Sequence, residues 1–284
     1  MNAQGSMVER HAGRPLMNGF HAGWSAGAVA GGLLAVLLAA LDVPYTASVL
    51  GVAAAAFPLA VAVGFTYLDG PAEEEGESEQ RRGLPGVVYL VGAIAFLALL
   101  MEGLVADWSG LLLARELHAS EAVAALAYPV YELATFGGRL FGDRLRLRFG
   151  FRPLLTAAGA ATAAGVVLVV TAPSPYWAIA GFGLTGLTVC TVVPLCMSLA
   201  GSLAPGRADA AIAQVSAIGY TGLLVGPVVI GFVAEATSLR TGIASAVAVA
   251  LLITVASRRL PAQPATDTPT GPDAPQRSLT PPSP

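Results

Sequence analysis

Long apolar runs separated by short polar stretches make up most of this chain. Eight of the runs are apolar over about 20 residues, the length that a helix needs to cross the roughly 30 Å hydrocarbon core of a bilayer. They lie near Leu16–Leu41, Val43–Leu68, Val87–Leu113, Ala119–Gly138, Leu154–Ala172, Tyr176–Gly201, Ile212–Ala236 and Thr241–Ser257. Because lipid offers the backbone no hydrogen-bonding partner, runs of this length are predicted to be helices. The pattern therefore predicts an all-α integral membrane protein.

The composition excludes several other classes of protein. With 55% apolar and 12% charged residues, the chain lies outside the range of soluble globules. Its basic residues are arginines spread between the apolar runs, so the bilayer is the predicted partner and nucleic acid is not. His11, His21 and His118 are isolated along the chain, and Cys190 and Cys196 have no further ligand at motif spacing. The sequence thus predicts no metal and no cofactor.

Charge and proline divide the chain into predicted segments. Residues 69–86 hold six acids and two arginines without apolar periodicity, which predicts a solvated acidic linker. This linker separates residues 1–68, with two spans, from residues 87–260, with six. Residues 261–284 contain eight prolines and are predicted to form a disordered tail.

Arginine also predicts the orientation in the membrane. If the eight spans alternate in direction, thirteen of the fifteen arginines lie on one side, and only Arg115 and Arg240 lie on the other. Cytoplasmic loops carry the positive excess, so both termini and the linker are predicted to be cytoplasmic.

A weak internal repeat suggests a duplicated architecture. A shift of 196 positions places Gly5 on Gly201, Trp24 on Tyr220 and the first pair of spans on the last pair. The shift predicts a parallel repeat of two helical units, of which the first copy begins at its fourth helix.

Three stretches resemble the major facilitator superfamily (MFS) of secondary transporters. They are Gly138-Arg139-Leu140-Phe141-Gly142-Asp143-Arg144, which is similar to the family's cytoplasmic loop motif, the run Gly222-x-x-x-Gly226-Pro227, and the acidic linker. The resemblance covers roughly Met1 to Leu260. It implies two six-helix bundles, of which this chain would supply helices five to twelve and the end of helix four, in a bacterial inner membrane.

Further stretches resemble an uncharacterised bacterial branch that is distantly similar to fucose-permease-like transporters. They are Asn2-Ala3-Gln4-Gly5, Phe20-His21-Ala22-Gly23-Trp24-Ser25 and Glu102-Gly103-x-x-x-Asp107-Trp108-Ser109. Two features depart from the family pattern. Arg139 stands where the family usually has Gly, which argues against a tight glycine-mediated contact there. The Gly-Pro pair lies in the predicted helix eleven instead of five, so import and export stay open.

Acids inside the spans are the strongest functional signal, because a charge at a helix centre costs about 2.5–3.5 kcal/mol. Glu102 and Glu132 are candidates for a substrate or proton pathway, or they pair locally without a function. Asp107 and Trp108 lie near a helix end, where an interfacial anchor is the alternative to a substrate contact. Their helix is expected to place Glu102 and Asp107 on different faces.

Polar groups in other spans complete the candidate set. Tyr128, Gln214 and Tyr220 could bind a substrate through hydrogen bonds, each being a weak candidate alone. The resemblance assigns Arg139, Asp143 and Arg144 to a cytoplasmic gate. The alternative is an ordinary ion pair between residues four apart, Arg139 and Asp143. The ladder Gly23, Gly27 and Gly31 is most simply a helix-packing surface.

The resemblance implies transport of a small solute by alternating access, coupled to protons as symport or antiport through Glu102 or Glu132. The alternative is a truncated membrane protein or scaffold that does not transport. An enzyme is not predicted, since the match of Gly23-Trp24-Ser25-Ala26-Gly27 to a nucleophile elbow lies inside a helical span, without suitable acid and histidine partners.

Overall fold

The computed structural model describes residues 2–41, 43–66 and 83–261, and these residues form helices and connections with no strand. The helices are α1 (Asn2–Ala12), α2 (Met17–Ala40), α3 (Tyr45–Gly64), α4 (Gly86–Glu116), α5 (Glu121–Ala124), α6 (Ala127–Phe149), α7 (Phe151–Val170), α8 (Pro175–Val189), α9 (Val192–Leu203), α10 (Ala208–Ala236) and α11 (Leu239–Ser257). We call α2 and α3 the N-terminal pair and α4 to α11 the C-terminal bundle. Most of the predicted linker and tail lies outside the described residues.

The predicted fold class is confirmed. Within the described ranges, six helical stretches are long and apolar enough to cross a membrane: α3, α4, α7, the consecutive helices α8 and α9, α10 and α11. The two remaining predicted spans fall on α2, which has 24 residues, and on α6, which has 23.

One predicted boundary was wrong, and one predicted span contains a break. The span expected at Ala119–Gly138 falls on α5 and on α6, which continues to Phe149, so the arginine-rich motif is helical and not a loop. The helix ends where Gly150 adopts φ 76°, a conformation that favours glycine. The span expected at Tyr176–Gly201 is interrupted at Cys190 and Thr191, between α8 and α9.

Glycines bring α4 and α10 together as parallel helices. A Cβ atom on Gly222 would meet the carbonyl of Phe96, and one on Gly226 would meet that of Leu100. Gly103 returns the contact, because its Cβ position lies against the carbonyl of Leu223. Small residues let backbones approach this closely. Because the hydrophobic effect does not drive helices together in lipid, close packing of this kind stabilises their association.

Close glycine contacts also occur between other helices of the C-terminal bundle. Gly159 of α7 faces Thr254 of α11, and Gly165 of α7 faces Gly181 and Thr185 of α8. Each of these positions lies against backbone atoms of the neighbouring helix. The bundle is therefore held by close helix contacts from α4 through to α11.

The N-terminal pair packs differently, and one expectation about it was wrong. A Cβ atom added at Gly23, Gly27 or Gly31 would meet nothing within 4 Å, so this ladder is not a packing surface in the structure. None of the residues in the apolar stretch of α3 is buried. The apolar surface of this pair is accessible along most of its length.

One helix end agrees with the internal repeat. Both α2 and α10 end at an alanine, Ala40 and Ala236, and these two positions differ by the 196 residues of the repeat. The helix that follows each of them, α3 or α11, also carries an apolar stretch long enough to span a membrane.

Candidate functional site

The break between α8 and α9 leaves a backbone carbonyl for a side chain to use. Pro194 has no N–H and so cannot bond to the carbonyl four residues earlier, which is that of Cys190. The Nε of Arg139 donates to this carbonyl oxygen at 3.3 Å. Proline in an apolar run thus creates an acceptor inside the bundle, and the guanidinium of α6 occupies it.

Arg139 also connects the C-terminal bundle to the N-terminal pair. Its Nη1 donates to the hydroxyl of Ser25 and to the backbone carbonyl of His21 at 3.4 Å, both on α2. The arginine side chain is buried, with 5% of its surface exposed, and Ser25 is fully buried. A single cation therefore ties α6 to α2 and to the α8–α9 break.

Asp143 holds the first turn of α2. Its carboxylate accepts hydrogen bonds from the backbone N–H of Asn18 at 3.2 Å and of Gly19 at 3.1 Å, and from the Asn18 side-chain amide at 2.8 Å. The first N–H groups of a helix have no partner within the helix and carry partial positive charge. An acid on one helix therefore caps another.

Two expectations about this motif need correction. The alternative of an Arg139–Asp143 ion pair was wrong, because each side chain bonds to α2 instead. The argument against tight glycine contacts was also wrong. A Cβ on Gly142 would overlap Asn18, and one on Gly138 would overlap the sulfur of Cys190. Glycine at both positions lets α6 approach its neighbours despite the arginine between them.

A second polar contact in the same region was not predicted. Glu9 of α1 forms an ion pair with Arg146 of α6, and Ser198 of α9 donates to the same carboxylate. The Glu9 carboxylate also accepts from the backbone N–H of Leu16 at 3.1 Å. Arg144, the predicted member of the gate, is exposed, and Arg146 takes the inter-helix role. No sequence spacing relates Glu9 to Arg146, 137 positions away.

The two predicted intramembrane acids are electrostatic neighbours of Arg139, since Glu132 lies two turns before it on α6 and the charge of Arg139 acts on Glu102 of α4. Arg139 and Glu132 are the charged groups that act most on Glu102, which is partly buried on α4. Glu132 is buried on α6, and Tyr128 lies one turn before it on the same helix. Tyr131 is fully buried and stacks on Tyr128, with ring centroids 6.2 Å apart. We call Glu102, Glu132 and Arg139 the charged cluster.

The other predicted pathway residues lie elsewhere. Asp107 is exposed, and Trp108 donates its indole N–H to the carbonyl of Pro227 at 3.1 Å, near the C-terminal ends of α4 and α10. Tyr220, which is 49% exposed, and the partly buried Gln214 lie on α10.

In the part of the chain that the structure describes, no group of three or more His, Cys, Asp or Glu side chains could hold a metal ion. The arrangement instead offers a buried cation with two acids beside it and polar contacts between helices. Such groups can bind a polar solute or move a proton. Their hydrogen bonds can be exchanged for others when the helices separate. The fold and this cluster together define a polytopic helical membrane protein with polar groups inside the bundle.

Comparison with known proteins identifies the family. The model of the Major Facilitator Superfamily matches residues 90–282. An uncharacterised MFS-type transporter of Yersinia pestis is 34% identical over 91% of this chain and 67% of its own length. An uncharacterised transporter of Sinorhizobium fredii is 32% identical over 84% of this chain and 64% of its own length. Membrane protein MosC of Rhizobium meliloti is 34% identical over 60% of this chain and 42% of its own length.

The chain therefore belongs to the Major Facilitator Superfamily of membrane transporters, and it spans about two thirds or less of the length of these relatives. The predicted family is confirmed, and the similarity to fucose-permease-like transporters stays a prediction. These relationships support a function in membrane transport and do not favour a non-transporting scaffold. They point to a transporter rather than to an enzyme, and to a multi-pass protein of the lipid bilayer.

Proposed function

We propose that this chain carries out, or is part of a protein that carries out, transport of a small solute by alternating access of two helical bundles. The observation that carries the proposal is the contact of α6 with α2, where Arg139 and Asp143 make directional polar bonds. Polar contacts of this kind can break and re-form as units, whereas close glycine packing holds helices together as a rigid body. The proposal includes no enzymatic activity and no cofactor.

The proposed moving parts follow the predicted domains. Residues 1–68 are the remainder of an N-terminal bundle, and residues 87–260 form a complete C-terminal bundle of six spans. The predicted linker, residues 69–86, and the predicted tail, residues 261–284, lie mostly outside the described residues. In support, α4 to α11 contact one another closely, while α3 makes few contacts with the described residues.

The proposed orientation places the Asp143 end of the molecule in the cytoplasm, together with both termini, in the bacterial inner membrane. The support is the distribution of arginine, since cytoplasmic loops carry the positive excess. Asp143, Arg144 and Arg146 then belong to the cytoplasmic side, and the C-terminal ends of α4 and α10 to the opposite side.

Arg139 and Asp143 are the proposed cytoplasmic gate, with Arg144 at its exposed surface. While the gate is closed, Asp143 neutralises the partial positive charge of the first turn of α2, and Arg139 donates to Ser25 of the same helix. Opening would separate α2 from α6 and leave the Arg139 guanidinium without two of its acceptors. Glu132 and Glu102 lie near enough to act on this cation, so they are the groups to which it could turn.

The charged cluster is the proposed site of proton coupling. A carboxylate in a bundle interior exists in water-poor surroundings, where its charge is stable only beside a cation or a polar partner. The charge of Arg139 acts on Glu102, and Glu132 lies two turns before Arg139 on α6. When Arg139 changes its hydrogen-bond partners, the electrostatic stabilisation of the charged forms of Glu102 and Glu132 changes too. Tyr128, Gln214, Tyr220, Asp107 and Trp108 remain candidates for solute contacts.

Transport by the purified chain in liposomes tests this function. A panel of labelled sugars, amino acids and carboxylates is offered under an imposed pH gradient, and accumulation is measured for the original chain, Glu102→Gln and the matched control Asp209→Asn, at an exposed acid. We expect gradient-driven accumulation of at least one solute. We expect the Gln variant to lose the dependence on the gradient, and the exposed-site control to keep it. Accumulation that depends on the gradient equally in all three proteins contradicts coupling through Glu102, and no accumulation of any solute contradicts transport by this chain.

A further inference from the structure

A cleft at the C-terminal ends of α4 and α10 has the composition of a binding site. Its volume is about 770 Å³, within the 300–1,000 Å³ range of small-molecule sites. Its walls include the apolar and aromatic side chains Trp108, Leu111 and Phe232, and its charged groups are Arg115, Glu116 and Glu235. We infer that this cleft binds an organic cation with an apolar or aromatic body. The inference goes beyond the proposed function, because it concerns a site outside the charged cluster and is tested by binding alone.

Trp108 forms a fixed aromatic wall. Its indole N–H donates to the carbonyl of Pro227 at 3.1 Å, which uses its single polar group and limits rotation of the ring. The ring packs over Gly231, where a Cβ atom would lie 3.2 Å from it. An indole face held in place attracts a cation and the apolar groups that such a cation carries.

The charges of the cleft favour a positive ligand. Two carboxylates, Glu116 and Glu235, line it against one cation, Arg115. The ion pair found in the described part of the chain, Glu9 with Arg146, lies at other helices, so these three groups are not engaged with one another as salt bridges. The cleft therefore carries a net negative charge.

Helix dipoles add to this preference. Both α4 and α10 end at the cleft, at Glu116 and Ala236, and the C-terminal end of a helix carries partial negative charge. The opposing N-terminal end of α11 is capped, since the Ser238 side chain accepts from the N–H of Thr241. The positive end of that helix is thus partly satisfied, and the two negative ends are left to face a ligand.

The site is separate from the charged cluster by position. Trp108 lies six residues beyond Glu102 on α4, which is about 9 Å along the helix axis at 1.5 Å per residue. None of the residues that line the cleft belongs to the cluster or to the contact between α2 and α6. A ligand in the cleft therefore contacts the C-terminal bundle without requiring the gate to open.

Two probes of similar shape and opposite charge test the inference. Tetraphenylphosphonium and tetraphenylborate are offered to the purified full chain in detergent micelles, and binding is measured by equilibrium dialysis against protein-free micelles. We expect saturable binding of the phosphonium and only non-saturable partition of the borate. Glu235→Gln is expected to weaken phosphonium binding about fivefold, and Glu116→Gln by a similar factor. Asp209→Asn, an acid at the other end of α10, is the matched control and should leave the affinity unchanged.

The result can overturn the inference in three ways. Phosphonium uptake that does not saturate, or that Glu116→Gln and Glu235→Gln leave unchanged, would mean partition into the apolar surface only. If the borate bound saturably and Arg115→Gln lost that binding, the cleft would bind an anion and not a cation. Trp108→Phe keeps an aromatic ring but cannot donate to Pro227, so an affinity unchanged in this variant would remove the fixed ring from the site. Each variant is compared only if it elutes as the original chain does.

Discussion

The two regions of this molecule are held by different kinds of contact. In the C-terminal bundle, glycines place helices against backbone atoms of their neighbours, as Gly222 does with Phe96 and Gly159 with Thr254. In the N-terminal pair, Gly27 and Gly51 face open space. The pair has many small residues too, so composition alone does not produce close packing. Packing requires that the glycines of one helix meet the backbone of another.

The two regions are joined by polar bonds at a few positions, beside the close approach of Gly142 to Asn18. Asp143 bonds to the first turn of α2, and Arg139 reaches Ser25 and His21 further along it. Dispersion contacts are many and weak, so separating a packed helix costs energy over its whole length. A few hydrogen bonds can be exchanged for others, as a moving interface requires. The contrast supports a rigid C-terminal bundle and a separable contact with α2.

The largest effect is expected when a side chain is added at a glycine where α4 and α10 are in contact. Gly222→Val places a Cβ against the carbonyl of Phe96, a backbone atom that cannot turn aside, and we expect a loss of about 3 kcal/mol in the free energy of unfolding. The measurement is the apparent melting temperature in detergent, followed by size-exclusion chromatography. Gly27→Val is the matched control, because a Cβ there meets nothing within 4 Å. Equal loss in both variants would show that the two regions do not differ in packing.

Removal of the buried cation is the next largest change. Arg139→Gln leaves the Cys190 carbonyl and the Ser25 hydroxyl short of a charged donor, and we expect a loss of about 2 kcal/mol. Arg139→Lys should recover only part of it, because an ammonium cannot reproduce the spread of donors of a guanidinium. Arg144→Gln, at an exposed arginine of the same helix, is the control. Full recovery by lysine would mean that the charge matters and the hydrogen-bond geometry does not.

The smallest expected effect is at the ion pair between α1 and α6. Glu9→Gln removes the charge that Arg146 and Ser198 contact, and we expect a loss of about 1 kcal/mol, because the amide oxygen of glutamine can still accept hydrogen bonds at this largely buried site. The loss should change little as salt is added, since a largely buried pair is screened weakly. Melting temperatures at low and high ionic strength measure this. A loss of several kcal/mol would instead make Glu9 a major anchor of α1.

Much of the fold could be predicted because lipid permits so few structures. Each predicted span lies on a helix or on two consecutive helices, since a long apolar run has no other way to satisfy its backbone. The end of α6 could not be predicted in the same way. Its last turns carry Arg144, Arg146 and Arg148, which a hydropathy pattern excludes from a span but which form helix readily.

The sequence predicted which residues form the candidate site better than it predicted their hydrogen-bond partners. Arg139 and Asp143 were chosen, yet four-residue spacing suggested that they pair with each other. The signal for the true partner of Arg139 was Pro194, which frees the carbonyl of Cys190. The sequence shows that an acceptor is free there, but not which of fifteen arginines reaches it. Glu9 was missed because its partner is defined only by the packing of α1 on α6.

The exchangeable contact between α2 and α6 can be measured directly with spin labels and without knowing the solute. Labels at Arg14 and Arg144, both exposed, report on the contact, and labels at Arg144 and Arg259 report on the C-terminal bundle alone. Double electron–electron resonance is recorded in nanodiscs after the buried Cys190 and Cys196 are replaced by alanine.

The account predicts two distances for the first pair, with the longer one favoured by Asp143→Asn, and a single narrow distance for the second pair in both proteins. Two narrow distributions that Asp143→Asn leaves unchanged would contradict it.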